Sequence, residues 1–150
     1  MAELRIISTP PELKAEWRRL YEGYLTFYKR PCVDGPIENL WGWVQNPSHE
    51  VEGILALRDG KPVGLAHFRR MPSPSRGADI GFLDDLFVDP ACRGSGAAEA
   101  LILHVKSVAR ERGWEIVRWL TADDNYRARA LYDRLSKKAG WNVYEMKSAD

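Results

Sequence analysis

The feature that most constrains the fold is a short glycine-rich segment, Arg93-Gly94-Ser95-Gly96-Ala97-Ala98. It lies between a β-prone run, Ile80 to Val88, and a helical run, Ala97 to Arg112, with Leu101, Val105 and Val108 on one face. Gly113 closes that helix as a C-terminal glycine does, and a further β-prone run, Glu115 to Leu120, follows. A strand, a crossover helix and a second strand of one sheet pair in parallel with a right-handed connection.

The same segment carries chemistry. Backbone N–H groups at a helix start have no internal partner, and the helix dipole adds partial positive charge there. Gly94 and Gly96 present no Cβ to hold a phosphate away, and Arg93 adds a fixed charge at the rim. Together they suit a pyrophosphate. The segment is not a Walker A loop, because no Gly-Lys-Ser/Thr follows. Nor is it the dinucleotide GxGxxG, since Glu99 stands where that fingerprint needs a third small residue. Taken alone, such a turn is read equally well as a plain connection.

The rest of the chain sets the strand count. Leu4 to Ile7 reads as an opening strand, and Pro10-Pro11 as a helix start with Thr9 as N-cap. Leu13, Trp17, Leu20, Tyr21, Tyr24, Leu25 and Tyr28 recur at intervals of three and four, an amphipathic helix. Pro31 and Gly35-Pro36 interrupt it, and Ile37, Leu40, Trp41 and Val44 mark a second, shorter helix that stops near Pro47. Val51 to Arg58 and Pro62 to Arg70 flank Asp59-Gly60, a hairpin signal. Met71 to Gly77 reads as a loop, and Asp124 to Lys138 as a helix capped by Asp123 or Asp124. Gly140 precedes a closing strand, Trp141 to Met146. The order βααβββαβαβ predicts a mixed α/β sheet with an antiparallel hairpin and one parallel pair.

A length of 150 residues fits one domain, 1–150, with one core. With 22 basic against 21 acidic side chains, no bulk field draws the chain to nucleic acid or an anionic membrane. The N-terminus carries no signal or membrane-spanning run. Cys32 and Cys92 stand far apart with no CxxC, which favours free thiols in the cytoplasm, and His49, His67 and His104 lack metal-ligand spacing. No metal is expected. His67 and His104 read as packed or solvated, and no cysteine–histidine pair suggests covalent catalysis.

With its flanks, the loop resembles a known family. Phe82-Leu83-Asp84-Asp85-Leu86-Phe87-Val88-Asp89-Pro90 leading into Arg93-Gly94-Ser95-Gly96-Ala97-Ala98 resembles the central motif of the GNAT acetyltransferases, with its R-x-x-G-x-A core intact. Asn125 and Ala130-Leu131-Tyr132 are similar to that family's second motif. The likeness runs over roughly residues 50 to 146. Trp17, Tyr24-Leu25, Phe27-Tyr28-Lys29, Gly60 to Leu65, Trp119, Thr121 and Ala128 resemble the branch of yeast histone- and D-amino-acid-acetylating enzymes. The diamine acetyltransferases are similar around Asp84-Asp85 and Tyr132. Ala97-Ala98 replaces a commoner bulky-residue-plus-glycine pair, and Cys92 has no assignable role.

The resemblance implies a twisted, mainly antiparallel sheet splayed at a central parallel pair. It also implies acetyl transfer from acetyl-CoA to a primary amine in a ternary complex, with a small-molecule acceptor and a homodimeric assembly. Leu86, Phe87 and Val88 would offer backbone groups to the pantetheine arm as a pseudo-strand, and Arg93 to Ala98 would hold the pyrophosphate. Tyr132 would be the acid that meets the leaving thiolate, and Asn125 either bonds pantetheine or caps its helix. An amine attacks only when neutral, so a base must take its proton. Asp84 is the first choice, with Asp85 placed to anchor a neighbouring loop or bind the acceptor. Neighbours on a regular strand face opposite ways, so only a bulge would bring both to one side. Tyr28 is read as an acceptor-side residue of the groove wall. A CoA-binding module without chemistry is the alternative, and a nucleotide switch lacks its lysine.

Overall fold

The computed structural model describes residues 3–149. The chain forms two compact units, one ending at Leu120 and the other beginning at Thr121.

The first unit is built on a five-stranded sheet in the order β1 (Leu4–Ser8), β2 (Val51–Arg58), β3 (Lys61–Ser73), β4 (Ala78–Val88) and β5 (Val117–Trp119). Every neighbouring pair is antiparallel except β4 and β5, which are parallel. That parallel pair is joined through α3 (Ala97–Arg112), so the crossover expected from the glycine-rich segment is present. Helices α1 (Lys14–Phe27) and α2 (Asp34–Gln45) bury Trp17, Leu20, Leu25, Ile37 and Leu40 with Leu55, Leu57, Leu65 and Phe87. The alternate strand positions serve the α3 side, where Leu101, Ile102, Val105 and Ala109 are buried and Phe68 meets Trp114. A sheet covered on both faces explains why β2 and β3 read as nearly continuous apolar runs.

Several boundaries differ from expectation for local reasons. Thr9 is not an N-cap: its N–H joins Gly53 O, and α1 begins after a 3₁₀ turn at Pro11–Leu13. The pairing of Thr9 with Gly53 carries the β1–β2 register one residue past Ser8, so Thr9 ends the strand rather than starting the helix. Gly35-Pro36 lies inside the first turn of α2, where the missing N–H is harmless. The loop expected from Met71 contracts to a turn, Pro74 to Gly77, closed by Gly77 N–H on Ser73 O at 2.9 Å.

In the second unit α4 runs Tyr126–Leu135 and is capped by Asn125, whose side chain accepts from Ala128 N–H, rather than by Asp123 or Asp124. The helix stops before Lys138 because Ser136 turns to an extended backbone and closes back on Tyr132 O. The expected strand over Trp141 to Met146 is not formed. It has no ladder partner among the described residues, and Trp141, Val143, Tyr144 and Met146 are exposed.

Candidate active site

The register of β3 against β4 breaks at one point. His67 lies opposite Asp85 and Phe68 opposite Leu83, leaving Asp84 as an extra residue on β4. A bulge of this kind bends its strand and changes where the next side chains aim. Here it brings two consecutive carboxylates to one face. Asp85 Oδ2 lies 2.9 Å from His67 Nδ1, and both Asp84 oxygens accept from Arg69 Nε, at 2.9 and 3.2 Å. His67 and Arg69, two apart on β3, share the face that packs on α1.

The electrostatics of the two acids differ. Burial pushes the Asp84 carboxyl above the ordinary carboxylate range, against the pull of its Arg69 ion pair, and the neighbouring Asp85 charge adds to the rise. Asp85 faces groups from β3 and α1 instead. Besides His67, its charge acts on the Tyr24 hydroxyl, which burial first and then Asp85 keep protonated far above neutrality. Tyr21 is pushed up to about 12, first by burial and then by Asp85. Tyr28, at the end of α1, packs its ring 4.9 Å from that of Tyr24. Among the described residues Asp85 has no loop partner, which corrects that part of the sequence reading; its hydrogen bond is to His67 of β3.

The bulge also marks where β5 departs. The β4–β5 ladder ends at Leu83 opposite Trp119, and from Asp84 to Val88 the outer edge of β4 has no ladder partner among the described residues. Asp89 N–H donates to Val63 O, which fixes the alternation along β3 and β4. Phe87 therefore spends its backbone groups on Leu65, whereas those of Leu86 and Val88 point to the open edge. This corrects the expectation that all three residues offer backbone groups. Phe87 instead sends its side chain into the α1 core and fixes the strand.

The open edge leads into the glycine-rich loop. Asp89 caps a 3₁₀ turn, Pro90–Cys92, by accepting from Ala91 N–H. Gly94 and Gly96 have φ near +82° and +83°, a left-handed backbone that only glycine adopts without strain. A Cβ on either would meet nothing within 4 Å, so backbone conformation rather than crowding requires glycine here. The N-terminus of α3 has no side-chain cap at Gly96, and Ser95 Oγ is buried with no hydrogen-bond partner among the described residues. The Arg93 guanidinium lies over the Phe27 ring at 6.0 Å, at the exposed rim. Uncapped amides, an orphaned buried hydroxyl and an arginine together suit a phosphate-bearing ligand.

A profile described as the acetyltransferase (GNAT) family matches residues 17–136. The chain belongs to that family. Over 149 residues the acetyltransferase is 28% identical to the D-amino-acid N-acetyltransferase HPA3 of Saccharomyces cerevisiae, covering 97% of this chain and 92% of that one. It is 26% identical to the thialysine N-epsilon-acetyltransferase of Caenorhabditis elegans, with 99% and 95% covered. Among solved structures, an aminoglycoside N-acetyltransferase in complex with CoA shares the fold, with a TM-score of 0.82, 18% identity, and 99% and 97% covered. The GNAT fold and an N-acetyltransferase activity follow for this chain.

The first unit of the acetyltransferase thus brings together Asp84, Asp85, Tyr28 and the β4 edge, with the loop from Arg93 to Ala98 directly following in sequence. Asn125 and Tyr132 belong to the second unit, Asn125 as the cap of α4 and Tyr132 partly buried within that helix. Among the described residues no group of His, Cys, Asp and Glu is placed to hold a metal ion, and no helix is long and apolar enough to cross a membrane. Reading the sequence left out the polar roles of His67 and Trp17. A hairpin turning at Pro74 to Gly77 would by itself set His67 opposite Asp84, and only the bulge moves its partner to Asp85.

Proposed function

We propose that this acetyltransferase moves an acetyl group from acetyl-CoA directly to the primary amine of a small molecule of amino-acid or polyamine type; a protein lysine or N-terminus would offer the same amine. The observation that carries the reading is the bulge at Asp84, which sets two carboxylates beside the open edge of β4. Leu86 and Val88 would bond the pantetheine arm, and Leu86 N–H would support a developing oxyanion. The amides from Gly94 to Ala98, with Ser95 and Arg93, would hold the pyrophosphate. The donor supplies a thioester whose C–S bond breaks as the N–C bond forms.

Asp84, with its raised pKa, is the base for the acceptor's proton, directly or through water, and Asp85 with Tyr28 binds the acceptor. Tyr132 donates a proton to the departing thiolate, and Asn125 caps α4 or bonds pantetheine. The named relatives act on a D-amino acid and on thialysine, which supports an amine acceptor of that size. We read residues 1–150 as one functional domain, working in the cytoplasm where acetyl-CoA is made and thiols such as Cys32 and Cys92 stay free, and pairing as a homodimer.

Free-thiol release from acetyl-CoA, measured against a panel of amines with Tyr132→Phe and Asp84→Asn alongside, tests the reading. Turnover with one amine class, strongly reduced in both variants, is expected. Tight acetyl-CoA binding with no turnover on any amine would overturn it in favour of a binding module.

A further inference from the structure

The most deeply buried polar side chain of the first unit has no part in the transfer as set out above. His67 is 1% exposed, and both of its ring nitrogens are engaged: Nε2 accepts from Trp17 Nε1–H at 2.9 Å, and Nδ1 lies 2.9 Å from Asp85 Oδ2. An indole can only donate. Nε2 must therefore be the acceptor, and the ring proton sits on Nδ1, donated to Asp85. The tautomer is set by Trp17, and the ring cannot gain a second proton without losing that bond. Trp17 is itself fully buried, stacked on Tyr21 with the Trp41 ring tilted against it at 5.0 Å and the His67 ring edge-on at 5.8 Å.

This leaves an imbalance between the two acids. Asp84 faces a cation, Arg69. Asp85 receives a hydrogen bond from the His67 ring, which in this tautomer carries no charge to cancel its own. The other groups facing it are Tyr21 and Tyr24 of α1, both protonated at working pH, and Asp84 of β4, while Arg30 acts on Tyr21. Among the described residues Asp85 forms no ion pair with a lysine or arginine, and with its side chain 16% exposed it is open to a cation from outside.

We propose that Trp17 and His67 form a positioning relay that fixes the Asp85 carboxylate as the anchor for the acceptor's ammonium group. The inference rests on the proposed reading of Asp85 as acceptor-binding. His67 never touches the acceptor; it holds Asp85 in one orientation and, by staying neutral, leaves its charge for the substrate.

Two isosteres separate the relay from simple packing. His67→Asn keeps a donor near the Nδ1 position and loses the acceptor for Trp17, whereas His67→Gln keeps the acceptor and loses the donor to Asp85. For the preferred amine, His67→Gln should raise KM about tenfold or more, the size of one hydrogen bond to a charged group, with kcat changed less. His67→Asn should keep KM within about threefold while having the lower Tm of the two, because it orphans the buried Trp17 N–H. Equal losses, or a KM that follows Tm, overturn the relay.

Should His67→Gln not fold, Trp17→Phe carries the test. It removes the donor that fixes the ring's tautomer, so the amine KM should rise about threefold or more while the KM for acetyl-CoA stays near the parent's. An amine KM equal to the parent's overturns the relay. Asp85→Asn tests the underlying reading separately: an unchanged amine KM defeats the role of Asp85 itself, whereas a raised KM with indistinguishable His67 variants defeats only the relay.

Discussion

The two halves of β4 do different work. From Ala78 to Leu83 the strand pairs with β3 throughout and with β5 over Gly81 to Leu83, and Gly81 N–H closes on Ile116 O at 2.9 Å. From Asp84 to Val88 one side is open among the described residues, and the face on α1 carries two carboxylates. The first half spends its backbone on stability, and the second leaves the groups of Leu86 and Val88 available for a ligand. One inserted residue separates the two regimes, which teaches that the site is made by a local error in register as much as by any reactive side chain.

The sharpest way to break this contrast is to delete Asp84. His67 would still lie opposite Asp85 and Phe68 opposite Leu83, so the ladder with β3 would run straight with its register kept. We expect amine turnover to fall by more than about 1,000-fold, because both the base and the bend are lost, while far-UV circular dichroism keeps its native shape. Asp84→Asn keeps the bulge and removes the base, and should cost about 100-fold in kcat/KM with acetyl-CoA affinity retained. Equal effects from the two changes would show that the bulge matters only through its carboxylate.

Next in size is the loop that follows the open half. Gly96→Val forces a β-branched residue to φ near +83° at the start of α3, a conformation that costs about 1–3 kcal/mol. Since the same amides are assigned to the pyrophosphate, the Kd for acetyl-CoA by calorimetry should rise about tenfold or more. Gly60→Val carries a similar φ of +81° in the β2–β3 turn and should lower Tm without moving that Kd.

The pH dependence follows from Asp84. Its carboxyl is raised on folding, mainly by burial, so the ionised base is present above that raised value and activity falls as pH drops through it. Arg69 pulls the value down, and Arg69→Gln should therefore move the acid limb of kcat/KM to higher pH. The sign for stability is the reverse of the usual carboxylate case. A carboxyl raised on folding favours the protonated native state, so stability is lost as pH climbs from the unfolded value through the folded one. At neutral pH Asp84→Asn should thus be less active without being less stable than the parent.

How much of this was legible depends on what the local sequence encodes. Helix α3 was readable to both ends because Gly96 and Gly113 are forced to positive φ on either side of it. The β2–β3 hairpin was readable from Asp59-Gly60, both left-handed in the turn. The bulge was not, because an extra residue in a ladder leaves no trace in composition or period, and alternation alone could not say that Asp84 and Asp85 share a face. The polar role of His67 was hidden for a related reason: it needs the register between β3 and β4, and then Trp17 from a helix 50 residues away. Trp141 to Met146 failed the other way, since an apolar, β-prone run does not by itself supply a partner strand.

The smallest expected effects compare the two halves through a single methyl group. On Gly81, in the paired half, a Cβ would stand 2.8 Å from Trp114 Cε3, and on Gly23 of α1 it would stand 2.9 Å from the Phe87 ring in the open half. Overpacking of this kind costs about 1–3 kcal/mol, so Gly81→Ala and Gly23→Ala should each lower Tm by a few degrees. Their kinetic consequences should differ. Trp114 lies behind a strand segment held on both sides, so Gly81→Ala should leave KM and kcat near the parent's. Phe87 stands between Leu86 and Val88, the two residues whose backbone groups face the open edge, and a ring pushed away from α1 carries that edge with it. Gly23→Ala should therefore raise the KM for acetyl-CoA about two- to fivefold at an equal loss of Tm, an effect well below one full hydrogen bond to a charged group. If both variants lose stability and neither moves KM, the edge is set by β3 alone and the side chain of Phe87 is no more than core.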